Sequence, residues 1–255
     1  VVRGVVAALA ATVFLAACSS GDDGPRARRG PTSTTRSDSL DTTKSTPPAT
    51  TTPTATLPAP TTTVAPRFDA AISHVDDAVR ARMTTSWRPG CPVGLDELRL
   101  VTLDYWSYDG QERSGELAVH ADHAESMVRV FSALFDARFP IERMELVDAF
   151  GGDDAASTRA NNTAAFNCRF VVGQPGVWSE HASGRAIDVN PLVNPYTLDP
   201  NIGQPELARY LDRGQDVPGM IRPGDAAVAA FAAEGWTWGG TWSSPDYQHF
   251  SATGR

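Results

Sequence analysis

The chain has 255 residues, 41% of them hydrophobic and 20% charged, with a formal net charge of −8. That acidity leaves no electrostatic case for a nucleic-acid partner. With three cysteines and no apolar run long enough for a membrane span after the first residues, neither a disulfide-dense scaffold nor a polytopic membrane protein is indicated.

Residues 1–17 place one charge, Arg3, ahead of an apolar run too short to cross a bilayer as a stable helix, which is the pattern of a secretory signal. The sequence Leu15-Ala16-Ala17-Cys18 that ends it resembles the lipobox of bacterial lipoproteins. The resemblance implies a lipidated Cys18 and a protein anchored to the outer face of the cytoplasmic membrane. An ordinary signal with a stray cysteine is the alternative. Residues 19–66 are Ser, Thr, Pro, Gly and charge, too poor in apolar side chains to offset their ordering entropy. They are expected to form a tether with a reach between roughly 40 Å as a coil and about 150 Å fully extended. A glycosylated stalk fits the Thr/Pro runs equally well.

Residues 67–255 are expected to form one domain. Phe68, Ala71, Ile72, Val75, Val79 and Met83 recur at helical spacing and predict a helix over 68–84, broken by Trp-Arg-Pro-Gly-Cys-Pro at 87–92. Two strands, 97–106 and 115–120, are predicted to join through Asp109-Gly110. Asp122 with Glu125 reads as an N-cap and N3 pair opening a helix over 122–137, with Met127, Val128, Phe131, Leu134 and Phe135 as its apolar face. Residues 141–149 read as a strand, 151–165 as a polar loop, 168–172 and 184–190 as strands, and 191–224 mostly as loop. A helix over 225–234, stopped by Gly235, precedes two short strands near 236–239 and 247–251. The sum is an α+β fold with a central, mainly antiparallel sheet and flanking helices. Cys91 and Cys168 remain once Cys18 is set aside. An even pair in an exported domain is expected to be bridged, with two buried thiols as the alternative.

Two blocks carry chemistry. The first is SEHASGRAID, from Ser179 through His181 to Asp188. A strand over 184–188 puts Gly184, Ala186 and Asp188 on one face, where two tiny residues leave room for a metal and substrate, or for a packed helix. The second runs from Trp236 to Phe250 and places Asp246 three residues before His249, amid Trp and Gly. Together the blocks resemble the zinc D-Ala-D-Ala carboxypeptidases, whose metal-binding fold is shared with lysostaphin and the hedgehog signalling domain. The family pattern S-x-H-x-x-G-x-A-x-D, followed by D/E-x-x-H after a Trp-Gly stretch, stands here without departure. The likeness extends through WRPGCP at 87–92, NNTAAFNCR at 161–169, DVNP at 188–191 and the terminal HFSATGR, so it covers nearly all of 85–255.

The resemblance implies that His181, Asp188 and His249 ligate zinc. Two imidazoles, one carboxylate and an open fourth position suit a catalytic zinc, which acidifies water and polarises a scissile carbonyl. It implies Asp246 as the general base that passes a proton to the leaving amine, the alternative being support for a ligand. Arg169 would meet an oxyanion or the peptide's terminal carboxylate, and a surface arginine is the alternative. Ser179 would orient substrate or a ligand, or serve as a structural hydrogen bond. The implied substrate is the stem peptide of peptidoglycan, cleaved by a monomer to release terminal D-Ala; endopeptidase cleavage and a non-catalytic wall-binding module are the alternatives. His120-Ala121-Asp122-His123 also looks like a metal cluster, but Asp122 is accounted for as a cap and no open-site geometry follows.

Overall fold

The computed structural model describes residues 66–254. The expected signal, Cys18 and nearly all of the tether lie outside the described residues. The first element is strand β1 (Ala70–His74), followed by α1 (Asp77–Arg82). The helix expected over 68–84 is thus half strand. Its apolar spacing does not discriminate over so short a run, and β1 pairs antiparallel along β2 (Leu98–Trp106), satisfying what would otherwise be an open sheet edge. Asp76 then separates the two halves, its side chain accepting from the Val79 N–H at 2.8 Å.

β2 and β3 (Glu112–His120) form the expected hairpin, in register from Leu98 opposite His120 to Trp106 opposite Glu112. Its turn uses Gly110 at φ 74°, and the Ser107 N–H donates to the Gln111 carbonyl at 2.8 Å. Helix α2 (Ala124–Asp136) lies across β2, burying Met127, Val130, Phe131, Leu134 and Phe135. Each side chain of that size contributes roughly 1.5–3 kcal/mol on leaving water. Val130 replaces the expected Val128, which is only half-buried. The cap also differs. A 3-10 turn over Ala121–His123 precedes α2, and it is His120 Nδ1 that accepts from the Asp122 N–H at 3.2 Å.

The middle of the chain is less regular than expected. Strand β4 (Arg143–Met144) is short, because Val147–Phe150 winds into a 3-10 turn ended by left-handed Gly151. The supposed loop holds α3 (Asp154–Arg159), capped by Asp153, and β5 (Asn162–Thr163), parallel to β4. The strand expected at 168–172 reduces to a single bridge between Phe170 and Trp178. β6 (Ala186–Asp188), a one-turn α4 (Pro205–Ala208), α5 (Ala226–Ala233), β7 (Thr237–Trp238) and β8 (His249–Ser251) follow. The expected central sheet is therefore divided into β1-β2-β3, β4-β5 and β6-β8-β7, of which the two three-stranded sheets are antiparallel. The class is α+β. Among the described residues no helix is long and apolar enough to cross a membrane.

Cys91 and Cys168 are joined, closing a sequence separation of 77 residues, and Cys168 is buried beside Leu98, Leu100 and Phe166. Loop-closure entropy for that span amounts to about 4–5 kcal/mol. Reduction is expected to lower the melting temperature by roughly 10–15 °C in a domain of this size. A melt unchanged after complete reduction would show that the bridge adds nothing.

Candidate metal centre

The β6–β8 register decides where the site forms. Ile187 opposes Phe250 and Asp188 opposes His249. Because side chains alternate across a strand, one pair enters the core, where both residues are fully buried, and the other pair faces a cleft. His181 arrives from a 3-10 turn over Glu180–Ser183. Ser179 caps that turn, its Oγ accepting from the His181 N–H at 3.3 Å. Gly184 ends it at φ 67°, and a Cβ there would stand 2.6 Å from the His120 backbone nitrogen. The small residue expected to open space on a strand face instead lets the turn dock on β3.

His181 Nδ1 lies 2.6 Å from the Ala165 carbonyl, which fixes its proton there and turns Nε2 toward the site. Nε2 stands 3.3 Å from Asp188 Oδ2 and 3.3 Å from His249 Nδ1, and His249 Nδ1 stands 3.1 Å from Asp188 Oδ1. One donor atom from each residue falls within 4.8 Å of the others. Burial pushes the Asp188 carboxyl up, but His181 and then His249 overcome it and hold it well below the usual carboxylate range. Burial likewise lowers His181, and Asp188 more than reverses this. Two imidazole nitrogens 3.3 Å apart on one carboxylate are a donor set that a dication satisfies, and His₂Asp with room beside it fits a catalytic zinc.

Asp246 sits on the same wall. Its N–H donates to the Gly239 carbonyl at 3.1 Å, and its backbone bridges Tyr196. Gly239 is required, because a Cβ would come within 2.8 Å of the Asp246 carbonyl. Asp246 Oδ1 is buried and has no hydrogen-bond partner among the described residues. Burial, reinforced by the Asp188 charge, pushes its carboxyl up to about 7 in the metal-free chain. The Trp242 ring closes the site against His249, with centroids 5.4 Å apart.

His181, Asp188, His249, Asp246 and Trp242, with Arg169 and Ser179, line one cleft of about 840 Å³. Arg169 is the only arginine or lysine on that lining among the described residues, and its Nε contacts the Asp154 carboxylate. Ser179 is seen as the cap of the ligand turn. The sequence reading did not find Ala165, whose contribution is a backbone oxygen with no side-chain signature. Nor did it find Asp154, which lay in a stretch read as loop, or Gln248, whose Nε2 donates to Asp188 Oδ2 at 3.3 Å.

His120 and His123 do not join a metal-like group. His120 Nε2 faces an Arg185 nitrogen at 3.1 Å, and burial followed by the Arg185 charge keeps its imidazole below the usual range. His74 lies on an exposed strand rather than on the expected helix.

Residues 172–252 match the family model described as D-alanyl-D-alanine carboxypeptidase. The matched segment contains Ser179, His181, Asp188, Asp246 and His249, and it leaves out Ala165, Arg169 and Asp154. No curated protein and no solved structure matches the chain.

Proposed function

We propose that this metallopeptidase of the zinc D-Ala-D-Ala carboxypeptidase-like family releases terminal D-Ala from peptidoglycan stem peptides. The observation that carries the reading is the convergence of His181, Asp188 and His249 beside a buried, unpartnered Asp246 oxygen on one cleft wall. His181 Nε2, His249 Nδ1 and the Asp188 carboxylate would hold the metal. Zinc, when bound, supplies a Lewis acid for the scissile carbonyl and acidifies water. Beside that charge the Asp246 carboxyl would be held ionised and able to accept a proton at neutral pH. Asp246 takes that proton at Oδ1 and delivers it to the departing amine. Arg169, on the lining of the same cleft, supports the developing oxyanion or the peptide's terminal carboxylate. Lipidated Cys18 and the 19–66 tether would place this chemistry within reach of the wall from the outer face of the membrane, with the protein acting as a monomer.

A second reading, cleavage inside the stem or cross-bridge, is favoured by one contact. Asp154 already occupies one side of the guanidinium that would welcome a free C-terminus. The discriminating experiment incubates zinc-loaded protein with a pentapeptide ending in D-Ala-D-Ala, with and without chelator, and follows products by mass. Chelator-sensitive loss of one alanine is expected. Cleavage of cross-linked peptides alone would establish the second reading. Inertness toward both would leave a wall-binding module.

A further inference from the structure

Asp154 is the first residue of α3, and its two oxygens are divided. Oδ1 accepts from Asn167 Nδ2 at 2.6 Å, and Oδ2 meets Arg169 Nε. Asn167 and Arg169 belong to a segment tied to the histidine turn through the main chain. The Asn167 N–H donates to the His181 carbonyl at 3.1 Å, and the Ser179 N–H donates to the Arg169 carbonyl at 3.1 Å. These bonds fix where the Arg169 side chain starts but not where its guanidinium ends. Beyond Asp154, the guanidinium has a long 3.5 Å contact from Nη1 to the Phe170 carbonyl. An arginine side chain left to itself must lose much rotamer freedom before it can act at a fixed point.

We propose that Asp154 is a positioning residue for the reaction. By pairing with the guanidinium on its Nε side, it holds the group at the cleft wall and leaves the terminal amino groups, which no other carboxylate among the described residues pairs with, to meet developing negative charge. The inference rests on the peptidase reading given above. It also explains why the arginine carries a partner without being neutralised as a tool. Asp154 meets one edge of the fork, and a bidentate fork has another.

The test uses the zinc-loaded protein and Asp154→Asn, which keeps the shape and an acceptor for Asn167. We expect kcat to fall roughly 10- to 100-fold, the upper figure being that for a catalytic group displaced by about 1 Å, with KM, zinc content and melting temperature close to those of the parent. In an Arg169→Ala background the same substitution should change kcat less than about twofold, because the arginine through which it acts is gone. Asp154→Glu should recover part of the loss. Unchanged kcat in Asp154→Asn overturns the inference while leaving the peptidase reading intact. An equal loss in both backgrounds also overturns it, because Asp154 would then act through the fold. If the parent protein cleaves nothing, the peptidase reading fails and the inference falls with it.

Discussion

His181→Ala is expected to lose zinc and turnover together. The side chain offers one of three clustered donor atoms, and its Nδ1 contact with Ala165 aims that atom into the site. Zinc held by four ligands with about 10–16 kcal/mol assigns on the order of 3 kcal/mol to each, so affinity should fall at least 100-fold. The variant should also melt lower than the metal-free parent. Asp188 remains buried but loses its stronger partner, and breaking a buried ion pair from one side costs about 3–5 kcal/mol. Metal content after dialysis and a thermal melt read these two effects separately. His120→Ala is the control and should retain stoichiometric zinc, since its imidazole is turned toward Arg185. Stoichiometric, tightly held zinc in His181→Ala would sink the ligand assignment.

Asp246→Asn should behave in the opposite way, keeping zinc and losing roughly 10²- to 10⁴-fold in kcat. The carboxylate lies beside the donor set without belonging to it, and its Oδ1 has nothing in the described structure to hold in place. A residue that merely braced a ligand would show another signature, a 10- to 100-fold loss of metal affinity. Equilibrium zinc titration and single-turnover kinetics on the same preparation distinguish the two. Normal turnover would remove Asp246 from its role.

The sequence and the structure agree most closely where a single local rule governs. The 98–120 hairpin follows from alternation and an Asp-Gly turn, and α5 follows from an alanine-rich run closed by Gly235. The convergence of His181, Asp188 and His249 was legible through the family resemblance of the two blocks that carry them. What escaped depends on contacts distant in sequence. The segment at 70–74 becomes a strand because β2 offers an edge, which its own apolar spacing does not encode. Asp122 lost its capping role to His120 because Gly184, far along the chain, docks on that corner and its carbonyl takes the His120 N–H at 2.9 Å. Asp154 faces Arg169 only in the folded chain, where its other carboxylate oxygen accepts from Asn167 Nδ2. No property of either residue's neighbours in sequence announces that meeting.

The oxygen of Ala165 has a further consequence for anyone hoping to borrow this site. Residues 172–252 hold every side chain of the donor set, yet the atom that orients His181 lies upstream of them, as does the arginine with its clamp. Grafted onto another scaffold, that segment would carry a chelating peptide whose imidazole is free to spin and whose neighbouring arginine is missing. Transplanting function here means moving the 98–120 hairpin and the stapled arm as well, which is nearly the whole domain.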